Sequence, residues 1–183
     1  MANESPITPE IRSLIGKSTE PITTFDEVCK SEIRRFVQAV MDDNPLYWDE
    51  EYAKKTKFGG IVGPGTFHYR MFRRHPEWPD RLVTEGPDWD GEETFLGRVK
   101  VTWPEGWAGF HGGNEVEVYQ LAQPGDKITA STKLTDIYEK ASKSGVLVFE
   151  VHETSFTNQK GDLLSIDRFT RVTRKMAPKG GKE

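Results

Sequence analysis

Asp42, Asn44, Pro45 and Tyr47 crowd into one short stretch, and a glycine-rich passage follows them: "MDDNPLYWDEEYAKKTKFGGIVGPGTF", residues 41 to 67. A carboxylate can take or give a proton, but at neutral pH it does so efficiently only where burial raises its pKa. A phenol, with an unperturbed pKa near ~10, is a poor general base there and serves better as a hydrogen-bond donor to substrate or water. Proline disfavours helical backbone at the residue before it, so a helix arriving at Asp42 is expected to stop at Asn44-Pro45. That break lets residues 42 and 47 turn their side chains into one cleft. Gly59, Gly60, Gly63, Pro64 and Gly65 cannot form a helix, and because they lead straight into an apolar segment they favour a ligand-facing loop.

Each of these residues also has a purely local role open to it. Asp42 can serve as a turn residue at a helix end, with Asn44 satisfying nearby backbone. Tyr47 and Trp48 can be core or interface aromatics, and the glycines a tight turn. The acids Asp42, Asp43, Asp49, Glu50 and Glu51 lack the glycine and the final bidentate glutamate of a calcium loop, and no histidine stands among them, so no metal is expected.

The elements that must position these groups are legible as patterns. Thr8-Pro9 reads as an N-cap with proline at the first helical position, and Gly16 closes that short helix. "STEPITTF" has strand-like content. Ile33, Phe36, Val37, Val40 and Met41 recur at helical spacing, which predicts a helix from about Ser31 to Met41. "DEEYAKKT" adds one or two helical turns, and "TFHYRMFRR" reads as a largely buried helix. Residues 75–92, with Trp78 and Trp89 among prolines and glycines, predict a long loop of functional or partner-facing character. Five strand candidates follow: "TFLGRVKVTW", "NEVEVYQLA", "DKITASTKLTDIY", "GVLVFEVHETSFTN" and "DLLSIDRFTRVTR". Turn signals at Pro124-Gly125 and Lys160-Gly161 separate them, and hairpins joining the last three make a curved antiparallel meander. The order predicts an α+β arrangement, a helix packed against a sheet.

Bulk properties narrow the class. With 183 residues, one domain spanning 1–183 is expected, with its core at about 8–174 and a flexible tail at 175–183. Ten Phe, five Trp and five Tyr argue against disorder. A net charge of −4 with mixed signs gives no electrostatic reason to bind nucleic acid or an anionic membrane. The basic residues from Arg171 to Lys182 read as a solvated tail. Cys29 is the one cysteine, which excludes an intrachain disulfide and suits a reducing compartment. No basic start followed by an apolar run marks a signal peptide, and no stretch reaches the ~20 apolar residues of a membrane span. A cytoplasmic location is expected.

The stretch "DDNPLYWDEEYAKKTKFGGIVGPGTF" resembles the hydratase motif of the MaoC-like dehydratase family. The closer similarity is to its fatty-acid-synthase-type branch, which also has counterparts of "NEVEVYQLAQPGDKITASTKL" and "GVLVFEVHETSFTNQKGDLL". The similarity covers about residues 8 to 174. It implies the hot-dog fold, a long antiparallel sheet around a central helix, with two such units pairing to form the site. It implies hydration of an enoyl thioester, or dehydration of a 3-hydroxyacyl thioester, on coenzyme A or acyl carrier protein, with no other cofactor. Against the family pattern Asp-x-Asn-Pro-x-His, Asp42, Asn44 and Pro45 match, and Tyr47 stands where the catalytic histidine belongs. Gly65 matches the glycine that caps the central helix, and Pro64 takes a position often held by histidine.

Resemblance thus implies Asp42, Tyr47 and Gly65 as catalytic candidates, with the Gly65 N–H, backed by the helix dipole, polarising the thioester oxygen. Substrate contacts are implied at Asn44, Phe58, Gly60, Ile61, Val62, Gly63 and Pro64. His111, in "FHGG", and His68, one turn past Gly65, are possible substitutes for the missing imidazole. The "FHGG" run looks like a thioesterase signature of the same fold, but it precedes a strand pattern instead of a helix. His75 and His152 read as loop and strand positions without evident partners. The incomplete dyad suggests a homodimer or, more particularly, a heteromer with a sister hot-dog subunit. The alternatives are a non-catalytic acyl-CoA-binding partner of such a subunit and an acyl-CoA thioesterase.

Overall fold

A computed structural model of the protein describes residues 5–72, 97–143 and 145–176. The loop expected at 75–92, with Trp78, Trp89 and His75, and the end of the tail lie outside the described residues. In chain order the elements are α1 (Pro9–Arg12), β1 (Ile22–Thr23), α2 (Lys30–Ala39), a 3₁₀ turn (Pro45–Tyr47), α3 (Glu50–Lys54), α4 (His68–Met71), β2 (Trp107–Val118), β3 (Ile128–Ser142), β4 (Gly145–Asn158) and β5 (Leu163–Lys175). The strands form one antiparallel sheet in the order β1-β3-β4-β5-β2. The meander of β3, β4 and β5 is as expected. Strand β2 crosses over to the far edge to pair with β5.

Alternation decides which face of the sheet is buried. Along β4, Val148, Glu150, His152, Thr154, Phe156 and Asn158 are buried, and the residues between them are less so. Successive side chains of a strand point to opposite faces, so this row lines one side. At one end Ala130, Phe156 and Leu164 join Ile33 of α2 and Phe67, Met71 and Phe72 around α4 in the larger apolar cluster. At the other, Leu134, Ile137 and Val148 meet Ile7 and Ile11 of the α1 region. The middle is polar. Thr132 pairs across to Thr154 and Thr154 to Asp167, while in the next row His152 lies between Leu134 and Phe169.

Helix α1 begins as expected, with the Thr8 hydroxyl accepting from the Ile11 N–H and Gly16 at φ 89° just beyond its end. The Pro124-Gly125-Asp126 turn anchors the start of α2. Gly125 donates to the Val28 carbonyl, and Val28 donates to that of Asp126.

Three expectations need correction. The described part of "TFLGRVKVTW", residues 97–103, forms no ladder. Val99, Val101 and Trp103 alternate because they pack on the smaller cluster; alternation reports burial, and pairing is a separate matter. Pro104, which has no N–H, and Gly106 at φ 82° follow immediately, and the strand begins only at Trp107. Consequently "FHGG" lies inside β2, with a bulge between His111 and Gly113. Finally, within the described part of "TFHYRMFRR", residues 66–72, regular helix covers the four residues of α4, which a run of i→i−3 turns from Pro64 introduces.

Candidate active site

Helix α2 stops before Asn44-Pro45 is reached. Met41 adopts φ 56°, the left-handed conformation usually left to glycine. Asp42 then donates its N–H to the Val37 carbonyl at 2.9 Å and Met41 to that of Gln38 at 3.3 Å. This pair of reversed bonds is the Schellman closure, made here at the cost of a strained non-glycine residue. Asn44-Pro45 instead starts the next turn: the Asn44 Oδ1 accepts from the Leu46 N–H at 3.0 Å, capping the 3₁₀ turn that ends in Tyr47. Asp42 Oδ1 accepts from the Asn44 N–H at 3.1 Å. The local role open to Asp42 is therefore real, and it fixes the carboxylate in place.

Tyr47 is half-buried against the larger apolar cluster. Burial raises its pKa, and the nearby Asp42 charge raises it further. The kinked segment thus brings acid and phenol close enough to sense each other, with the phenol protonated at neutral pH. Asp42 lines an open groove of about 560 Å³ together with Arg34, Val37, Gln38, Met41, Asp43 and Trp48. The indole of Trp48 is exposed and donates to the Asp43 carbonyl at 3.4 Å.

The glycine-rich residues divide between surface and core. Phe58, Gly60 and Ile61 line a smaller cleft of about 290 Å³ with Lys30, Glu50 and Lys54. Lys30 is the first residue of α2, whereas Asp42 lies just past its far end, so this cleft and the carboxylate belong to opposite ends of the helix. Val62 is fully buried, and Gly63 donates to the Ala122 carbonyl at 2.8 Å. A Cβ at Gly63 would come 2.7 Å from the Phe67 ring, and one at Gly65 would come 2.9 Å from Val118. Glycine at both positions therefore permits close packing. Pro64 opens the turn leading to Phe67. The Phe67 ring meets Phe36 of α2 edge-on at 5.7 Å, which holds the Gly65 turn beside the elements that carry Asp42 and Tyr47. Gly65 itself is not among the walls of the Asp42 groove.

Neither candidate imidazole lines that groove. His68 is buried, its Nε2 is 3.1 Å from the Ser165 hydroxyl, and its ring lies against Phe156 and Tyr69. Burial pushes its pKa down to about 4, so it is neutral. His111 is exposed on β2, its ring 5.3 Å from that of Phe169, and borders a third cavity.

That third cavity was not found by motif. It measures about 200 Å³ and is walled by Tyr69, Arg98, Asn114, His152, Asp167 and their neighbours on the polar middle of the sheet. Both oxygens of buried Asp167 accept from the Asn114 amide, at 2.9 and 3.0 Å. The hydroxyls of Thr132 and Thr154 bond each other at 2.9 Å. His152 has a charged neighbour, its Nε2 lying 3.5 Å from Glu150. Burial opposes ionisation of Glu150. Hydrogen bonds from His152, Trp103 and Thr173 and the charge of Arg171 outweigh it and hold the pKa below the ordinary value. The signal in the sequence was the alternation of β4, which puts Glu150, His152 and Thr154 in register with Val148 and Phe156.

Among the described residues no helix is long and apolar enough to cross a membrane, and no group of three or more metal-ligating side chains converges.

Residues 13–166 match the family described as FAS1-like, dehydratase domain region. A UPF0336 protein of Thermobifida fusca is 27% identical over 171 residues, covering 92% of this chain and 97% of that protein. Another, from Streptomyces avermitilis, is 39% identical over 60 residues, which are 33% of this chain and only 39% of that protein's length. Among solved structures, the ChsH1-ChsH2 complex from Mycobacterium tuberculosis gives a TM-score of 0.64 at 19% identity, covering 89% of this chain and 87% of that one. The MaoC-like dehydratase from Rhodospirillum rubrum gives 0.54 at 21% identity, covering 90% and 94%. At such identities the likeness is one of fold, and the fold is the hot-dog arrangement of MaoC-like dehydratases.

Proposed function

The chain belongs to the FAS1-like dehydratase family, and from that premise we propose that it is a subunit of an enoyl-thioester hydratase or 3-hydroxyacyl-thioester dehydratase acting on acyl-CoA or acyl carrier protein, completed by a second hot-dog subunit. In the hydration direction, water adds its oxygen to C3 of the enoyl group and a proton arrives at C2. A base must take the water's proton while a donor stabilises the negative charge gathering on the thioester oxygen. Asp42, oriented by the Asn44 N–H, is the acid–base group this chain offers. Tyr47, kept protonated by burial and by Asp42, donates a hydrogen bond to water or substrate. The Gly65 N–H is the proposed partner of the thioester oxygen. Phe58, Gly60 and Ile61 would contact the carrier arm, while Val62, Gly63 and Pro64 shape the wall behind it.

The observation that carries this reading is the Asp42 carboxylate, held by the Asn44 N–H on the wall of an open groove and followed by the half-buried Tyr47 on the next turn. The same site supports the second reading, a non-catalytic acyl-binding partner, because neither His68 nor His111 lines the groove and one Asp42 oxygen is engaged by backbone. A sister subunit would supply the imidazole. The ChsH1-ChsH2 structure that this chain resembles in fold is, by name, a complex. Here Phe110, Val116, Val118 and Tyr119 stand exposed on or just after edge strand β2, a surface suited to such pairing.

The test is hydration of a 2-enoyl-CoA by the purified chain, alone and co-expressed with a hot-dog subunit from a neighbouring gene. Activity is expected from the pair. Loss of it in Asp42→Asn, with assembly intact, assigns the acid to this chain; full retention makes the chain a binding partner. Release of free thiol from acyl-CoA would instead identify a thioesterase.

A further inference from the structure

The side of the sheet turned away from the core is not uniformly polar. Leu147, Phe149 and Val151 alternate with the buried Val148, Glu150 and His152 along β4, so they share the outer face. The strand registers carry this face across four strands. Phe149 stands opposite Tyr138 of β3 and Val172 of β5, and Val172 opposite Phe110 of β2. The Tyr138 and Phe149 rings stack, with centroids 5.0 Å apart and planes 4° from parallel. Tyr138, Phe149 and Val172 are half-buried, Phe110 is 43% exposed, and none of the four joins either core cluster. Charges flank this apolar row unequally. On one side lies the row of Lys140, Leu147 and Arg174. The Lys140 ammonium is 5.3 Å from both stacked rings, and the Arg174 guanidinium is 5.4 Å from that of Phe110. On the other side lies the row of exposed Asp136, Val151 and Thr170. Beyond it Glu115, Glu117 and Glu153 outnumber Lys133 and Arg168, and Arg168 is already paired to Glu117 and Glu153.

We propose that this outer face docks a second copy of the same chain, the two sheets packing back to back about a two-fold axis that runs across the strands along the Tyr138–Phe149 row. Charge selects both the partner and the axis. Lys140 and Asp136 flank Tyr138 on one strand, a row to either side of it. A two-fold axis along the middle row therefore lays the Lys140 of each copy against the Asp136 of the other. An axis along the strands instead lays the Lys140–Arg174 row upon itself and gathers four cations, which opposes association. The axis across the strands also leaves the two sheets aligned, within the roughly 30° at which twisted sheets pack. Four strands ~4.8 Å apart and three rows ~6.8 Å apart give a footprint of roughly 400 Å² on each copy, against the ~800 Å² per partner of a standard interface. The dimer is therefore weak and reversible. Apart from Phe110, the face shares no residue with the β2 surface offered above to a sister subunit, and the proposal does not rest on the acyl-thioester reading.

The test is sedimentation velocity of the full-length chain from about 1 μM to about 300 μM, with circular dichroism to confirm folding, and the parent should dimerise reversibly within that range. Lys140→Glu and Asp136→Lys each set like charges at both symmetric contacts, so each alone should weaken association at least about tenfold. Both residues are exposed, so both variants should fold as the parent does. Mixed in equal amounts, the two variants face each other with opposite charges at both contacts, and the mixture should associate about as tightly as the parent. A folded chain that stays monomeric throughout the range overturns the proposal. So does association indifferent to both substitutions, the behaviour of a dimer joined at the β2 edge, or association that mixing fails to restore. Capture of a co-expressed sister subunit in place of a second copy, weakened by Lys140→Glu, overturns it as well and gives the face to that subunit.

Discussion

His68 offers the sharpest check on the electrostatics of the site region. Its imidazole is 3% exposed and packed against Phe156, and burial lowers its pKa from 6.5 to about 4. The folded state therefore binds fewer protons than the unfolded chain at any pH between those values. Stability from this group is complete above about pH 6.5 and drains away as pH falls toward about 4. The full difference is about 3 kcal/mol, of which about 2 kcal/mol is lost between roughly pH 7 and pH 4.5. In urea, with a slope of about 2 kcal/mol/M, the unfolding midpoint should drop by about 1 M over that range from this residue alone. Replacing the pair together, His68→Leu with Ser165→Ala, removes the titrating ring without leaving the Ser165 hydroxyl unpaired. Urea titrations of both proteins, followed by circular dichroism across the range, isolate the contribution by difference. Parallel pH dependences would refute the claim that His68 is held neutral inside the core, and would reopen its role as a base.

Three further outcomes follow from the packing. Gly63→Ala places a methyl 2.7 Å from the ring of Phe67, which is fully buried and cannot yield, so a loss of about 1–3 kcal/mol is expected in chemical denaturation. Phe156→Ala empties the centre of the larger cluster, where its ring meets His68, Tyr69 and Phe72; about 3–5 kcal/mol is expected, read as a lower melting temperature. Asp49 accepts from the N–H groups of Glu51 and Tyr52 at the start of α3, so Asp49→Ala should cost about 1 kcal/mol by the same denaturation.

Local grammar read from the chain held where one residue decides its own backbone. The Thr8 cap, the Gly16 stop, the Pro124-Gly125 turn and the three-strand meander all stand as expected, because caps, glycines and two-residue periodicity act over a few neighbours. It failed where a distant partner decides. Val99, Val101 and Trp103 alternate like a strand, yet only a ladder partner could have made them one. Met41 stops α2 in a conformation that nothing about methionine advertises. The motif from Asp42 to Tyr47 was visible as a list of residues. Its engagement with the Asn44 backbone, and the placing of Asp42 and Gly60 on the walls of two different clefts, needed coordinates. The polar row of Glu150, His152 and Thr154 was present in β4 from the start. It became a cavity only when Tyr69, Asn114 and Asp167 arrived from other elements.

The crossover that carries β2 to the far side of β5 sets a timetable for the newborn chain. Synthesis delivers β2 well before its mate, about 50 residues earlier, and closing that gap is a late, entropy-limited step. Until then the Phe110-to-Tyr119 ribbon waits with both margins open while the later hairpins assemble behind it. A maturing polypeptide in that condition is vulnerable to mispairing with its own siblings, so slowing translation beyond residue 118 should lower the yield of dissolved product, and early arrival of a sister chain should rescue it.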